Sequence, residues 1–108
     1  MLLDYLEKVE DNRGRQGQVY KQSYILFFSV LAMLNGATSY RKMHTFINEK
    51  FSFLKNRFNL PWKKAPAYTS IRGIIQSVNQ KSLEEQFRAY TKAISRLKSD
   101  NNLTQIKT

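Results

Sequence analysis

The stretch that decides the fold is KQSYILFFSVLAMLNG, Lys21 to Gly36. Its apolar heart, Tyr24 to Leu34, runs eleven residues and contains one serine. A membrane span needs roughly 20 apolar residues, so this length describes a buried core helix. Asp4, Glu7, Glu10 and Asp11 precede it, which a secretory leader would not tolerate. The stretch is apolar almost all round the helical wheel, which predicts a central helix with neighbours on several sides. Gly36 follows the last periodic residue, where a left-handed C-cap glycine belongs.

Outward from this helix the spacing stays helical. On the N-terminal side, Leu2, Leu6 and Val9 share one face of a short helix over about Leu2 to Glu10. DNRGRQGQ, Asp11 to Gln18, breaks it with two glycines. On the C-terminal side, Tyr40, Met43, Ile47, Phe51, Leu54 and Phe58 recur at threes and fours and predict one helix, N-capped by Thr38 or Ser39. NLPWKKAPAY carries two prolines and reads as a loop, with Trp62 plugging the core. A fourth helix starts near Thr69, its cap, with Ile71, Ile74, Ile75 and Val78 inward. Ser82 and Glu85 match a capping box opening a fifth. Its seam of Leu83, Phe87, Tyr90, Ile94 and Leu97 fits either an internal contact or a second chain. Residues 99–108 lack periodicity and read as a flexible tail. No stretch alternates like a strand and none repeats. The expectation is one all-α domain over residues 1–98, a bundle of about five helices with a helix-turn-helix-like pair.

The charge narrows the function. The 108 residues carry 18 Lys+Arg against 8 Asp+Glu, a net +10. Between Asn12 and Leu83, twelve bases face one acid, Glu49, so that window alone holds 12 − 1 = +11. A field of that sign attracts polyanions. With no cysteine, disulfides and thiolate metal sites are excluded. The acids do not group like a metal cage. His44 stands alone, and GRQG lacks the Gly-Lys-Ser/Thr ending of a phosphate loop. No enzyme, cofactor or small-molecule substrate is indicated, and the cytoplasm is the default compartment.

With Ile71, Ile74, Ile75 and Val78 inward, the outer arc of the fourth helix holds Thr69, Ser70, Arg72, Gly73, Gln76, Ser77 and Gln80. Arg pairs bidentately with guanine, Gln with adenine, and Ser or Thr with base edges or phosphates. In a helix-turn-helix the second helix presents such residues to the major groove. Lys63 and Lys64 precede this helix, and Arg41 and Lys42 open the one before it, where cations hold phosphates. The connection of about Phe58 to Tyr68 is longer than the usual turn of about 3–4 residues.

Three ordered blocks then resemble a known family. The first is Asp11, Arg13, Gly17 and Tyr20, followed by the apolar helix ending in Gly36, Ala37, Ser39 and Tyr40, with Phe46 beyond. The second is Pro66, Thr69 and Arg72; the third is Leu83 with Phe87. Over about Asp4 to Ile94 the chain resembles the N-terminal domain of H-repeat-associated insertion-sequence transposases, which are of the DDE type. It departs at Ala67 and Gly73, where that family usually has serine and arginine. The resemblance implies a transposase-associated module whose catalytic carboxylates lie in a ribonuclease-H-like domain outside these residues. Charge and resemblance together predict binding of double-stranded DNA at element ends. Thr69, Ser70, Arg72 and Gln76 then face bases, and Lys63, Lys64, Arg41, Lys42, Arg13 and Arg15 face phosphates. The alternatives are a multimerisation module that pairs with itself or with full-length transposase, and, more weakly, a non-specific RNA binder.

Overall fold

A computed structural model describes the backbone of residues 1–11, 13 and 19–106, with side chains as far as residue 97. Arg15 and most of the glycine-containing break lie outside the described residues. Six helices and no strand occur among those described: α1 (Leu2–Leu6), α2 (Gln22–Leu34), α3 (Tyr40–Glu49), α4 (Phe51–Phe58), α5 (Tyr68–Ser77) and α6 (Gln80–Ile106).

The central position expected for α2 is borne out. It packs against α1, α3 and α5. Ile25, Leu26, Phe27, Phe28, Ser29 and Ala32 are all buried along it. Ser29 answers its own burial by donating its hydroxyl to the Ile25 carbonyl at 2.7 Å, a back-bond to the preceding turn. Gly36, at φ +97°, closes the helix, a conformation that glycine enters without a Cβ penalty. The last turn emerges from the core, leaving Met33 half exposed and Leu34 78% exposed.

An aromatic cluster locks α2 to the α4–α5 connection. The rings of Phe28 and Phe58 lie 5.5 Å apart, Phe27 and Phe58 5.6 Å, and Phe28 and Trp62 5.9 Å. Tyr20 meets Trp62 edge-on at 5.0 Å. Offset and edge-on pairs at such distances add to the area term. Trp62 is buried, as the sequence predicted for a plug.

The structure corrects the sequence reading at five places. The single helix expected over Tyr40–Phe58 is two, so the bundle has six helices. Lys50 ends α3 and opens α4 at φ −97°, ψ 8°, a sparsely used region of the backbone map. The bend leaves Ile47 and Leu54 buried on either side of it while Phe58 reaches Phe27 and Phe28. The first helix is shorter than expected, because beyond Leu6 the chain turns through i→i+3 bonds such as Val9 N to Leu6 O, 3.1 Å. Thr69 is not the cap of α5: Ala67 is, in an extended conformation, and no side chain caps the helix. The box expected at Ser82 and Glu85 is displaced. The helix opens at Gln80, and Asn79 accepts from the Ser82 N–H at 3.0 Å. The Ser82 hydroxyl instead accepts from the Glu10 N–H at 3.0 Å, while the Asn79 amide donates to the Glu10 carboxylate at 3.1 Å. Finally, α6 runs through Ile106, past Leu97, the last residue of its expected seam. Of the two expected caps for α3, Thr38 and Ser39, Ser39 is the one used; its hydroxyl accepts from the Lys42 N–H at 3.2 Å.

No helix is long and apolar enough to cross a membrane among the described residues.

Candidate nucleic-acid interface

The site is built around the start of α5. Pro66 is buried and Ala67 is extended, so the chain enters the helix from a fixed direction. The Ala67 carbonyl accepts from the Ile71 N–H at 3.1 Å, which makes Tyr68, Thr69 and Ser70 the first turn. Ile71 and Ile74 anchor the inner face in the core. The first-turn N–H groups have no capping side chain, and such groups together with the helix dipole favour an anion.

Beside this turn lies a surface depression of about 530 Å³. Thr69, Ser70, Gly73 and Ser77 form one wall, and Arg13, Val19, Tyr20 and Lys64 the other. Tyr20 fastens the second wall to the loop before α5, its hydroxyl donating to the Lys64 carbonyl at 3.4 Å. A Cβ added at Gly73 would meet nothing within 4 Å, so the glycine keeps that wall low without being required by local packing.

Four of the predicted residues therefore converge on one surface: Thr69, Ser70, Lys64 and Arg13. The Arg13 guanidinium is engaged there. Its Nε and Nη2 donate to the two carboxylate oxygens of Asp11 at 3.0 and 2.8 Å, a two-pronged pair. That bond and the Arg13 backbone N–H, also on Asp11 at 3.0 Å, hold the Asp11 carboxyl below its ordinary 3.8.

The other predicted residues fall elsewhere. Arg72 and Gln76 are exposed on α5 but do not line the depression. Lys63 is exposed on the preceding loop. Arg41 stacks over the Tyr68 ring, 5.4 Å from its centroid, and borders a different, apolar groove. His44 approaches the same ring edge-on at 6.3 Å. The Lys42 ammonium donates to Thr38 Oγ1 at 3.3 Å. Arg15 is outside the described residues.

Sequence reasoning did not assign Tyr20, Val19 or Ser77 to the site. Ser77 was visible on the outer arc of α5. Tyr20 and Val19 were not, because only tertiary packing against the Lys64 loop brings them there.

The two helices expected to pair do pack on one another, α3 against α5. What joins them is α4 and a loop, not a short turn.

Comparison with known families matches residues 3–91 to the family described as DDE_Tnp_1-associated. That match spans most of the chain, and the chain belongs to this family, a region associated with DDE transposases and distinct from their catalytic domain. Searches of curated proteins and of solved structures each give no match.

Proposed function

We propose that this chain is the DNA-binding module of a DDE-type transposase and recognises the ends of its element. The observation that carries the reading is the depression beside α5. There an uncapped helix N-terminus, Lys64 and the Thr69 and Ser70 hydroxyls converge, inside a window with a surplus of eleven positive charges. Membership of the transposase-associated family supports the same partner.

In this reading α3 and α5 act as a variant helix-turn-helix, with α4 inserted in the turn. A phosphate sits at the depression, held by the α5 N–H groups, Lys64 and Ser70. Lys63, Arg41 and Lys42 extend the electrostatic contact along the backbone. Arg72 and Gln76 project beside the depression toward base edges, guanine for the one and adenine for the other. Thr69 stands between the two sets. Gly73 lets the sugar-phosphate backbone come close.

Anisotropy titrations of labelled duplexes across a salt series test this. A duplex carrying the element's inverted repeat should bind more tightly than a random one. Replacing Lys63 and Lys64 with alanine should lower the slope of log K against log salt by about 2, roughly one for each phosphate contact. Arg72→Ala should cost about 1–3 kcal/mol on the preferred duplex and less on the random one. Unchanged affinity and slope in the double lysine variant would sink the phosphate assignment. Equal binding of both duplexes would remove end recognition.

A further inference from the structure

Among the described residues, α6 packs on one other helix, α1, where Tyr90 meets Tyr5 edge-on at 5.5 Å. Leu83 and Phe87 also reach the core from its first turns. Two neighbouring ridges of the helix start at these turns and open to the surface toward its C-terminal side. Leu83, Phe87, Thr91 and Ser95 form one, each four residues from the last. Glu84, Arg88, Lys92 and Arg96 form the other.

Together these ridges line a groove of about 710 Å³. At Leu83 and Phe87 it runs into an apolar groove of about 560 Å³ bordered by Leu26, Val30, Met33, Tyr40, Met43 and Ile75. A channel between two i±4 ridges is the shape that receives an i±4 ridge of another helix, crossing at about −50°. Thr91 and Ser95 are small enough to let that helix approach.

The charges say which helix. Glu84 and Arg88 are exposed one turn apart, and neither takes an ion-pair partner among the described residues. We propose that a second copy of this chain fills the groove, α6 crossing α6 about a two-fold axis that passes between Glu84 and Arg88. An isologous contact of this kind repeats every interaction twice. Glu84 of each protomer meets Arg88 of the other, and the two Phe87 rings cover one another beside the axis. Moving the crossing along to Tyr90 would pair Glu84 with Arg96 far from the axis but set Arg88 against Lys92, two like charges, close to it. A parallel pairing would set Glu84 against Glu84 and Arg88 against Arg88. The charge pattern therefore selects one orientation and one register. Leu97, exposed beyond this crossing, lies outside the proposed contact.

Sedimentation equilibrium of the full chain without DNA, from micromolar to near-millimolar concentration at low salt, tests the inference. The expected result is a monomer–dimer equilibrium. Glu84→Arg and Arg88→Glu, each at an exposed position, should each weaken the dimer by about tenfold, because two attractions become two repulsions. The double swap, Glu84→Arg with Arg88→Glu, should restore the wild-type constant to within about twofold, since the pairing is regenerated with its signs exchanged. Circular dichroism of each variant confirms that α6 remains helical. A chain that stays monomeric throughout overturns the proposal. So does a dimer that the single reversals leave unchanged, a double swap that fails to rescue a folded chain, or an assembly larger than two.

Discussion

Replacing Gly73 with alanine separates what the fold needs from what the proposed site needs. Gly73 lies in the interior of α5, and helical glycine costs about 0.8–1 kcal/mol relative to alanine because it surrenders more backbone freedom. The usual reasons for keeping a glycine are absent. Its φ is not positive, and the added methyl would meet no atom within 4 Å. Gly73→Ala should therefore stabilise the chain by about 0.5–1 kcal/mol. Unfolding entropy of about 2.1 cal/mol/K per residue, over 108 residues, gives roughly 0.23 kcal/mol/K, so Tm should rise by about 2–4 °C. The assay is thermal unfolding followed by far-UV circular dichroism, with the emission of Trp62, the single tryptophan, as a second probe. In the same protein, duplex affinity should fall, because the methyl raises the low wall of the depression. A lower Tm would refute the claim that this wall is open in the folded chain. A higher Tm with undiminished DNA binding would leave the packing argument intact and remove Gly73 from the interface.

The remaining predictions concern packing, capping and charge. Phe28→Ala, at a fully buried ring in contact with Phe58 and Trp62, should cost about 3–5 kcal/mol in urea unfolding followed by tryptophan fluorescence. Asn79→Ala should cost about 1 kcal/mol by removing the acceptor for the Ser82 N–H. Glu85→Ala, which a capping box at Ser82 would make comparably costly, should stay within about 0.5 kcal/mol. Equal losses from these two substitutions would restore the displaced box. Asp11→Asn probes the pair with Arg13. A carboxyl whose folded pKa lies below its unfolded value stabilises the fold above the unfolded value, and that contribution fades as pH falls through the folded one. Wild type should thus exceed the variant in Tm at neutral pH, and the gap should close below about pH 4, the ordinary value being 3.8. A gap independent of pH would assign the loss to something other than the carboxylate charge.

The helices were legible because their apolar spacing is strong, and the misreadings share one physical origin. Tyr40 to Phe58 keeps its stripe across the bend at Lys50, and no glycine or proline marks the break. Only the need to aim Phe58 at Phe27 and Phe28 does so. Ser82 and Glu85 have the right types at the right spacing for a box. Asn79 offers the same chemistry three residues earlier, and Glu10, 72 residues away from Ser82 in the chain, claims the serine hydroxyl. Thr69 is a good cap by type, yet the extended Ala67 lets the helix begin before it. In each case local chemistry had two acceptable solutions, and a long-range contact or the entry angle of the chain chose between them.

The same distinction sharpens the candidate site. Composition and periodicity select the outer arc of α5 but treat it as one surface. Packing divides it. Ser70, Gly73 and Ser77 lie toward the Tyr20 and Lys64 wall, where an incoming group meets N–H donors, hydroxyls and a cation. Arg72 and Gln76 occupy the opposite edge of the arc, exposed and without that wall. A depression bordered by Lys64 and the Thr69, Ser70 and Ser77 hydroxyls suits a phosphate, whose position carries no sequence information. Long side chains free of such a wall suit base edges, which carry it. Substitutions at Lys64 and Ser70 should therefore weaken all duplexes alike, while those at Arg72 and Gln76 should change which duplex is preferred. If Ser70→Ala altered preference and Arg72→Ala weakened every duplex equally, the division of labour along α5 would be the reverse of the one its packing supports.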